Sequence, residues 1–355
     1  MYLLELAGDE ADEAFARREA ASRCTAVEPL APGLATARGV RRAETLAYTR
    51  RVCRLVGTCE PDLDDAVALL EAAGLDGRSG TVAVRARDVR GLTGVDTQAA
   101  ERRLGSVLIE RDFEVDLEDP DHTLVALFSE MAALGWLEIE PPRDFAGRRP
   151  TDKPFFQPGS MATAEARALV NIAGAGSDPG GDADADVRGD VDAGARRDES
   201  GDVDAGARHG TGGRLLDPMC GTGGILVEAG LVGAEVVGVD AQRKMVRGAR
   251  RNLEHYLDDR HEVVRGDASR LPFADDTFDG AVFDAPYGRQ SKVEGVSPEA
   301  LVGDALAEVR RVATRAVVVG DRPWEAAARD AGWAVESRFD RRVHRSLTRY
   351  VLVLE

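Results

Sequence analysis

Leu215-Leu216-Asp217-Pro218-Met219-Cys220-Gly221-Thr222-Gly223-Gly224 is the stretch on which the fold turns. An apolar run closes on a carboxylate, and a glycine-rich turn then leads into a helix. Glycines let backbone approach a ligand without a Cβ clash, so Gly221 and Gly223 are candidate ligand contacts, with Asp217 and Cys220 beside them. Alone this is weak ground, because many α/β domains contain a glycine turn.

Downstream of 214–217, apolar runs bounded by Gly and Asp recur at 234–240, 262–265, 280–284 and 316–320. Helical stretches separate most of them, the clearest at 241–257. Such alternation predicts parallel strands joined by crossover helices. Two further strand-like runs, 334–338 and 348–354, are joined so briefly that they predict an antiparallel hairpin at one sheet edge. The expected fold is therefore α/β, of the class I, Rossmann-like methyltransferase type.

Acids stand at the ends of these runs. Asp240 closes the second, at the spacing expected of a carboxylate that accepts ribose hydroxyls. Dinucleotide sites share that feature, which makes NAD the rival ligand. Two details oppose NAD: Asp217 stands where a pyrophosphate would prefer no negative charge, and Leu226 replaces the third glycine of G-x-G-x-x-G. S-adenosylmethionine suits the set better, its ammonium meeting Asp217. Gly266-Asp267-Ala268 completes an adenine pocket in which Asp267 accepts from the adenine amine.

The most specific signal is Asp284-Ala285-Pro286-Tyr287-Gly288, after the fourth run. The lone pair of an aromatic exocyclic amine is conjugated into its ring, so the nitrogen is planar and a poor nucleophile. A carboxylate (Asp284) and the next carbonyl (Ala285) can accept its two N–H groups and favour the tetrahedral nitrogen of the transition state. Tyr287 offers a face for a base drawn out of its stack. The implied chemistry is direct in-line methyl transfer, with Asp284 as hydrogen-bond and proton acceptor. The plain alternative is an ordinary turn after a strand.

The chain's 355 residues suffice for two or three domains. No run of about 18 apolar residues exists to span a membrane, and residues 1–10 lack the basic and apolar regions of a secretion signal, so a cytoplasmic protein is expected. Cys24, Cys53, Cys59 and Cys220 show no C-x-x-C spacing, and no metal is expected. The net charge is -17, and lysine occurs only at Lys153, Lys244 and Lys292. An acidic, arginine-biased chain suits a very salty cytoplasm. Acidity alone predicts weak binding to nucleic acid, but in strong salt the counterion-release contribution fades anyway.

Residues 174–213 are Gly, Asp and Ala-rich and hold a duplication, GDVDAGAR at 189–196 and again at 201–208. They have too little apolar surface to offset their ordering entropy and read as a disordered acidic insertion. Before it, a helix is expected at 161–173 with Ser160 as N-cap. Further upstream, runs at 81–87, 114–117 and 123–127 read as strands and 97–104 as a helix, an α+β pattern. Arg50, Arg51 and Arg54 fall on one side of a predicted helix, and Arg85, Arg87 and Arg90 follow a strand. They are candidate RNA contacts, or partners for the plentiful surface acids.

The chain resembles the archaeal and eukaryotic tRNA (guanine-10-N2) methyltransferases that carry an N-terminal THUMP domain. The resemblance rests on LLDPMCGTGG (215–224), GDASRLPF (266–273), DAPYG (284–288), HRSLTR (344–349), QPGSM (157–161) and ARALVNIA (166–173). AVRAR (83–87), ERRLGSVLIE (101–110) and VDLEDPD (115–121) carry the THUMP part. It implies a haloarchaeal-type enzyme with a ferredoxin-like module at 1–60, THUMP at 61–145, a linker at 146–156 and the catalytic domain at 157–355. It also implies tRNA as partner, S-adenosylmethionine as cofactor and one or two methyls on N2. A monomer is expected, though no residue pattern in the chain speaks to it. Family members usually have Pro where Ala285 stands; its carbonyl survives the change, while the loop is expected to be less rigid. Rival readings are an enzyme for another guanine, whose relatives more often carry Asn at the position of Asp284, a silent RNA binder of the same fold, and a DNA adenine methyltransferase.

Overall fold

A computed structural model describes residues 1–175, 213–286, 297–345 and 347–355. Both copies of the acidic duplication, and Tyr287 and Gly288, lie outside the described residues.

The N-terminal part runs β1 (Tyr2–Leu6), α1 (Glu13–Ala20), β2 (Cys24–Thr25), β3 (Glu28–Ala31), β4 (Leu34–Ala37), β5 (Gly39–Val40), β6 (Thr49–Cys59), α2 (Leu63–Ala72), β7 (Gly80–Asp88), α3 (Thr97–Ile109), β8 (Phe113–Val115), β9 (His122–Phe128) and β10 (Ala132–Ile139). Among the described residues, eight strands form one sheet in the order β3-β4-β1-β6-β10-β9-β7-β8. Asp62 caps α2 by accepting the Asp64 amide at 2.7 Å, and Asp96 caps α3 through the Ala99 amide at 3.0 Å. These helices lay Leu70, Leu104 and Leu108 on Leu124 and Trp136, while α1 lays Ala16 and Ala20 on Leu4 and Val52. Each large apolar side chain so covered contributes about 2 kcal/mol of burial.

One expectation changes. Residues 50–54 belong to strand β6, not a helix: Val52, Cys53 and Val56 favour a pleated surface, and β6 is paired on both sides, with β1 and β10. The sheet also runs unbroken across position 60, because β6 from the first expected module is hydrogen-bonded to β10 from the second.

The second part runs α4 (Thr163–Ile172), β11 (Arg214–Asp217), α5 (Gly224–Leu231), β12 (Glu235–Asp240), α6 (Arg243–Tyr256), β13 (His261–Arg265), β14 (Gly280–Asp284), α7 (Pro298–Val312), β15 (Ala316–Gly320), α8 (Glu325–Asp330), β16 (Val335–His344) and β17 (Leu347–Leu354). The sheet order is β13-β12-β11-β14-β15-β17-β16, parallel from β13 to β15 and antiparallel at β17 and β16. This is the α/β, Rossmann-like methyltransferase architecture. The expected cap of α4 is absent. The helix starts at Thr163 behind Ala162, because the Pro158-Gly159 turn, with Gly159 at φ +89°, holds Ser160 so that its Oγ donates to the Gln157 carbonyl at 2.8 Å.

The two parts share a core in which Phe15 and Ala47 pack with Leu169, Ile172 and Val351. A polar knot lies beside it. Buried Glu19 accepts from the amides of Ala47 and Tyr48 and from Asn171 Nδ2 on α4, at 2.7, 2.7 and 2.8 Å. Arg23 reaches Asn171 Oδ1 at 3.0 Å. Burial holds the Glu19 carboxyl above its ordinary range, against the pull of these donors.

Candidate functional site

The chain runs outward from β11 to β12 and β13, then returns to place β14 on the other side of β11. Such a reversal leaves a crevice beyond the carboxyl ends of the strands. Asp240, Asp217 and Asp284 end three neighbouring strands there, in the order β12, β11, β14.

Asp217 is 1% exposed. Among the described residues its carboxylate has one hydrogen-bond donor, the Met219 amide at 3.1 Å. Burial drives its pKa well above the ordinary carboxylate range, and the charges of Asp240 and Asp284 push the same way. A carboxylate so placed is stabilised by an incoming cation.

The glycine turn is shaped by Asp240. Its Oδ2 accepts the Gly221 amide at 3.0 Å and its Oδ1 the Gln242 amide at 2.8 Å. A carboxylate has about four lone-pair sites, so acceptor capacity remains. Gly221 and Gly223 take φ of +50° and +76°, left-handed values that glycine adopts without strain. Above Gly221 the space is open, since an added Cβ would meet only the Met219 carbonyl at 4.0 Å. Cys220 is buried, its amide donating to the Val239 carbonyl at 2.9 Å. Burial, reinforced by Asp217 and Asp240, raises its thiol well above the usual range, so it is a poor nucleophile.

Asp267 lies two residues past β13, exposed, with Oδ1 accepting from the Ser269 amide and hydroxyl at 3.0 and 2.8 Å. Ala268 beside it is buried. Asp284 is partly exposed, and Ala285 is buried with its amide donating to the Val319 carbonyl at 2.7 Å. That bond bears on the expected loss of rigidity: a proline at 285 would have no N–H to give, so the alanine ties the loop to β15 in another way. Pro286 follows directly, and Tyr287 lies outside the described residues.

Other residues around the site went unread in the sequence. Arg349, near the end of the chain, pairs with Glu165 of α4 at 2.5 Å and stands 4.0 Å from Asp284 Oδ2. Lys153 is buried, with Nζ 3.2 Å from where a Cβ on Gly224 would stand, at the first turn of α5. Burial lowers its pKa. Its signal was compositional: a lysine in a chain that otherwise uses arginine.

The six arginines noted as RNA contacts are engaged inside the N-terminal part. Arg50, Arg51 and Arg87 converge on Glu5, Arg54 pairs with Glu138, Arg85 donates to the Leu117 carbonyl, and Arg90 pairs with Glu13. Among the described residues no group of three or more His, Cys, Asp or Glu is arranged to hold a metal ion, and no helix is long and apolar enough to cross a membrane.

A family described as "RMKL-like, methyltransferase domain" matches residues 205–351. The chain is 32% identical over 318 residues to the tRNA (guanine(10)-N2)-dimethyltransferase of Methanothermobacter thermautotrophicus, covering 87% of this chain and 83% of that one. The protein of the same name from Pyrococcus abyssi is 29% identical over 286 residues, covering 78% and 74%. Among solved structures, TrmN from Thermus thermophilus aligns over 100% of this chain and 99% of its own, at 20% identity and a TM-score of 0.47.

Proposed function

Because the chain belongs to the tRNA (guanine(10)-N2)-dimethyltransferase family, we propose that it methylates the N2 amine of guanine 10 in tRNA, once or twice, using S-adenosylmethionine. The observation that carries the reading is Asp217, a buried carboxylate with one backbone donor among the described residues, flanked by the strand-end carboxylates of Asp240 and Asp284.

The residues fit the cofactor. Asp217 would hold its ammonium, and Lys153 at the first turn of α5 its carboxylate. The turn, open above Gly221 and packed on Ala249 at Gly223, with Cys220 beneath, gives its chain room. Asp240 would accept from the ribose hydroxyls, and Asp267 and Ala268 would border the adenine. When bound, S-adenosylmethionine supplies an electrophilic methyl on a sulfonium.

Asp284 and the carbonyl of Ala285 accept the two N–H groups of the guanine amine. Holding both makes the nitrogen more nucleophilic as it turns tetrahedral, an interaction stronger in the transition state than before it. Asp284 then takes the proton the nitrogen sheds. Pro286 restricts the backbone behind that carbonyl, and Tyr287 stacks on the extruded base. Residues 1–145 bind tRNA as one unit, the ferredoxin-like (1–60) and THUMP (61–145) modules sharing a sheet, with 146–156 as linker. The enzyme works in the cytoplasm as a monomer.

Nucleoside mass spectrometry of an unmodified tRNA transcript, treated with the protein and labelled cofactor in molar salt, tests this. Labelled N2-methylguanosine or N2,N2-dimethylguanosine that disappears when guanine 10 is replaced is the expected result. Label at another guanine would transfer the reading to a different site, and absence of label would reject it.

A further inference from the structure

Strand β15 pairs with β17 only from Ala316↔Leu354 to Gly320↔Tyr350. The β16–β17 hairpin therefore runs on past the carboxyl end of β15, on the side where Asp284 ends β14. In this overhang Arg341 and Arg349 are direct cross-strand partners. Like charges so placed repel, and an anion between them is needed to hold the pair.

Glu165 of α4 supplies it. One carboxylate oxygen lies 2.5 Å from Arg349 Nη1, the other 3.6 Å from Arg341 Nε, and the side chains of Glu165 and Arg349 are only 8% and 6% exposed. The far side of Arg349 points at the site, Nη2 being 4.0 Å from Asp284 Oδ2. The far side of Arg341 enters the N-terminal part. There its Nη2 meets Asp12 Oδ1 at 3.0 Å and Tyr48 Oη at 2.7 Å, and its guanidinium lies over the rings of Phe15 and Tyr48 at 4.1 and 4.8 Å. Charge thus alternates through Asp12, Arg341, Glu165, Arg349 and Asp284.

Asp284 needs such a neighbour. Asp217 on β11 is a second carboxyl close by, and Asp240 on β12 stands beyond it. Without a cation Asp284 would tend to take up a proton or turn toward solvent, and either change removes the acceptor that the guanine amine requires. A guanidinium cannot give up its charge, and its planar fork fixes direction as well as sign.

We propose that Arg349 is a positioning residue that keeps Asp284 ionised and aimed at the amine, anchored through Glu165 and Arg341 to the N-terminal part. The inference rests on the N2-guanine reading. Its test is single-turnover methyl transfer to an unmodified tRNA transcript across pH, with cofactor binding titrated on the same full-length proteins. Arg349→Gln should slow transfer by about 100-fold, the scale of one preorganised electrostatic contact, with cofactor affinity unchanged. Its acid limb should move to higher pH, because loss of a cation raises a carboxylate's pKa. Arg349→Lys should return the limb toward its original place and recover part of the rate. Glu165→Gln should shift the limb the same way by less, and adding it to Arg349→Gln should cost little more, since both act through one chain.

An unshifted acid limb in Arg349→Gln, or a loss of rate equal at every pH and unrelieved by lysine, would overturn the proposal. If Arg349→Gln does not fold, an unshifted limb in Glu165→Gln overturns it. Wild-type protein that leaves tRNA unlabelled would remove both this inference and the function on which it rests; active wild type with unshifted variants would remove this one alone.

Discussion

Glu5 on β1 and Asp217 on β11 are each 1% exposed, but the fold surrounds them differently. Around Glu5 three arginines converge, Arg51 at 2.9 Å, Arg87 at 3.2 Å and Arg50 at 4.0 Å. Around Asp217 the described residues place one backbone amide and two more carboxylates. A chain this rich in arginine had cations to spare for the second site. Burying an ion without a partner costs several kcal/mol, so a fold keeps such a group where something outside the chain completes it. In the N-terminal part the buried carboxylate is paired within the chain; at the strand ends, on the proposed function, it awaits the cofactor's ammonium.

Breaking the comparison from the Glu5 side should have the largest effect on stability. Glu5→Ala leaves three arginines facing one another, and chemical denaturation should show a loss of about 3 kcal/mol, the range for removing one partner of a buried pair. From the other side, Asp217→Asn removes a buried carboxyl whose ionised form nothing in the described residues neutralises. Its cofactor-free melting temperature should rise, while titration shows cofactor affinity reduced by about 30-fold, near 2 kcal/mol. A fall in melting temperature would mean that Asp217 is already compensated.

The contrast also has a pH signature. Asp217 holds its proton to higher pH when folded than when unfolded. Above about pH 4 the unfolded chain therefore releases that proton first, the folded state binds more protons, and its stability falls as pH rises. Thermal melts of the cofactor-free protein should show this decline, shallower in Asp217→Asn. The smallest effect belongs to Ala285→Pro. It forfeits the bond to the Val319 carbonyl and should cost about 1 kcal/mol in a melt, despite restoring the family's usual residue.

The sequence made legible what depends on near neighbours. Asp217, Asp240 and Asp284 each end an apolar run, and a parallel sheet puts such ends side by side. The closing hairpin followed from the short connection. Residues 50–54 were misread because arginines at 50, 51 and 54 fit a helical period, while pairing with β1 and β10 decides the matter and no local spacing reveals it. Ser160 was misplaced for a similar reason, the turn at Gly159 holding it outside the helix. Glu165 and Arg349 lie 184 residues apart, and only the overhang of the hairpin brings them together. Arg349 left one trace, an unassigned likeness in HRSLTR (344–349), and Glu165, one residue before ARALVNIA (166–173), left none.

The most direct measurement compares wild type with Asp284→Ala for labelled methyl incorporated at guanine 10 of a tRNA transcript, cofactor binding being titrated on the same protein. Asp284→Ala should bind cofactor as wild type does and leave no label in the guanine. Incorporation at the wild-type rate by Asp284→Ala would contradict this, because the carboxylate said to accept the amine would then be doing nothing for the transfer.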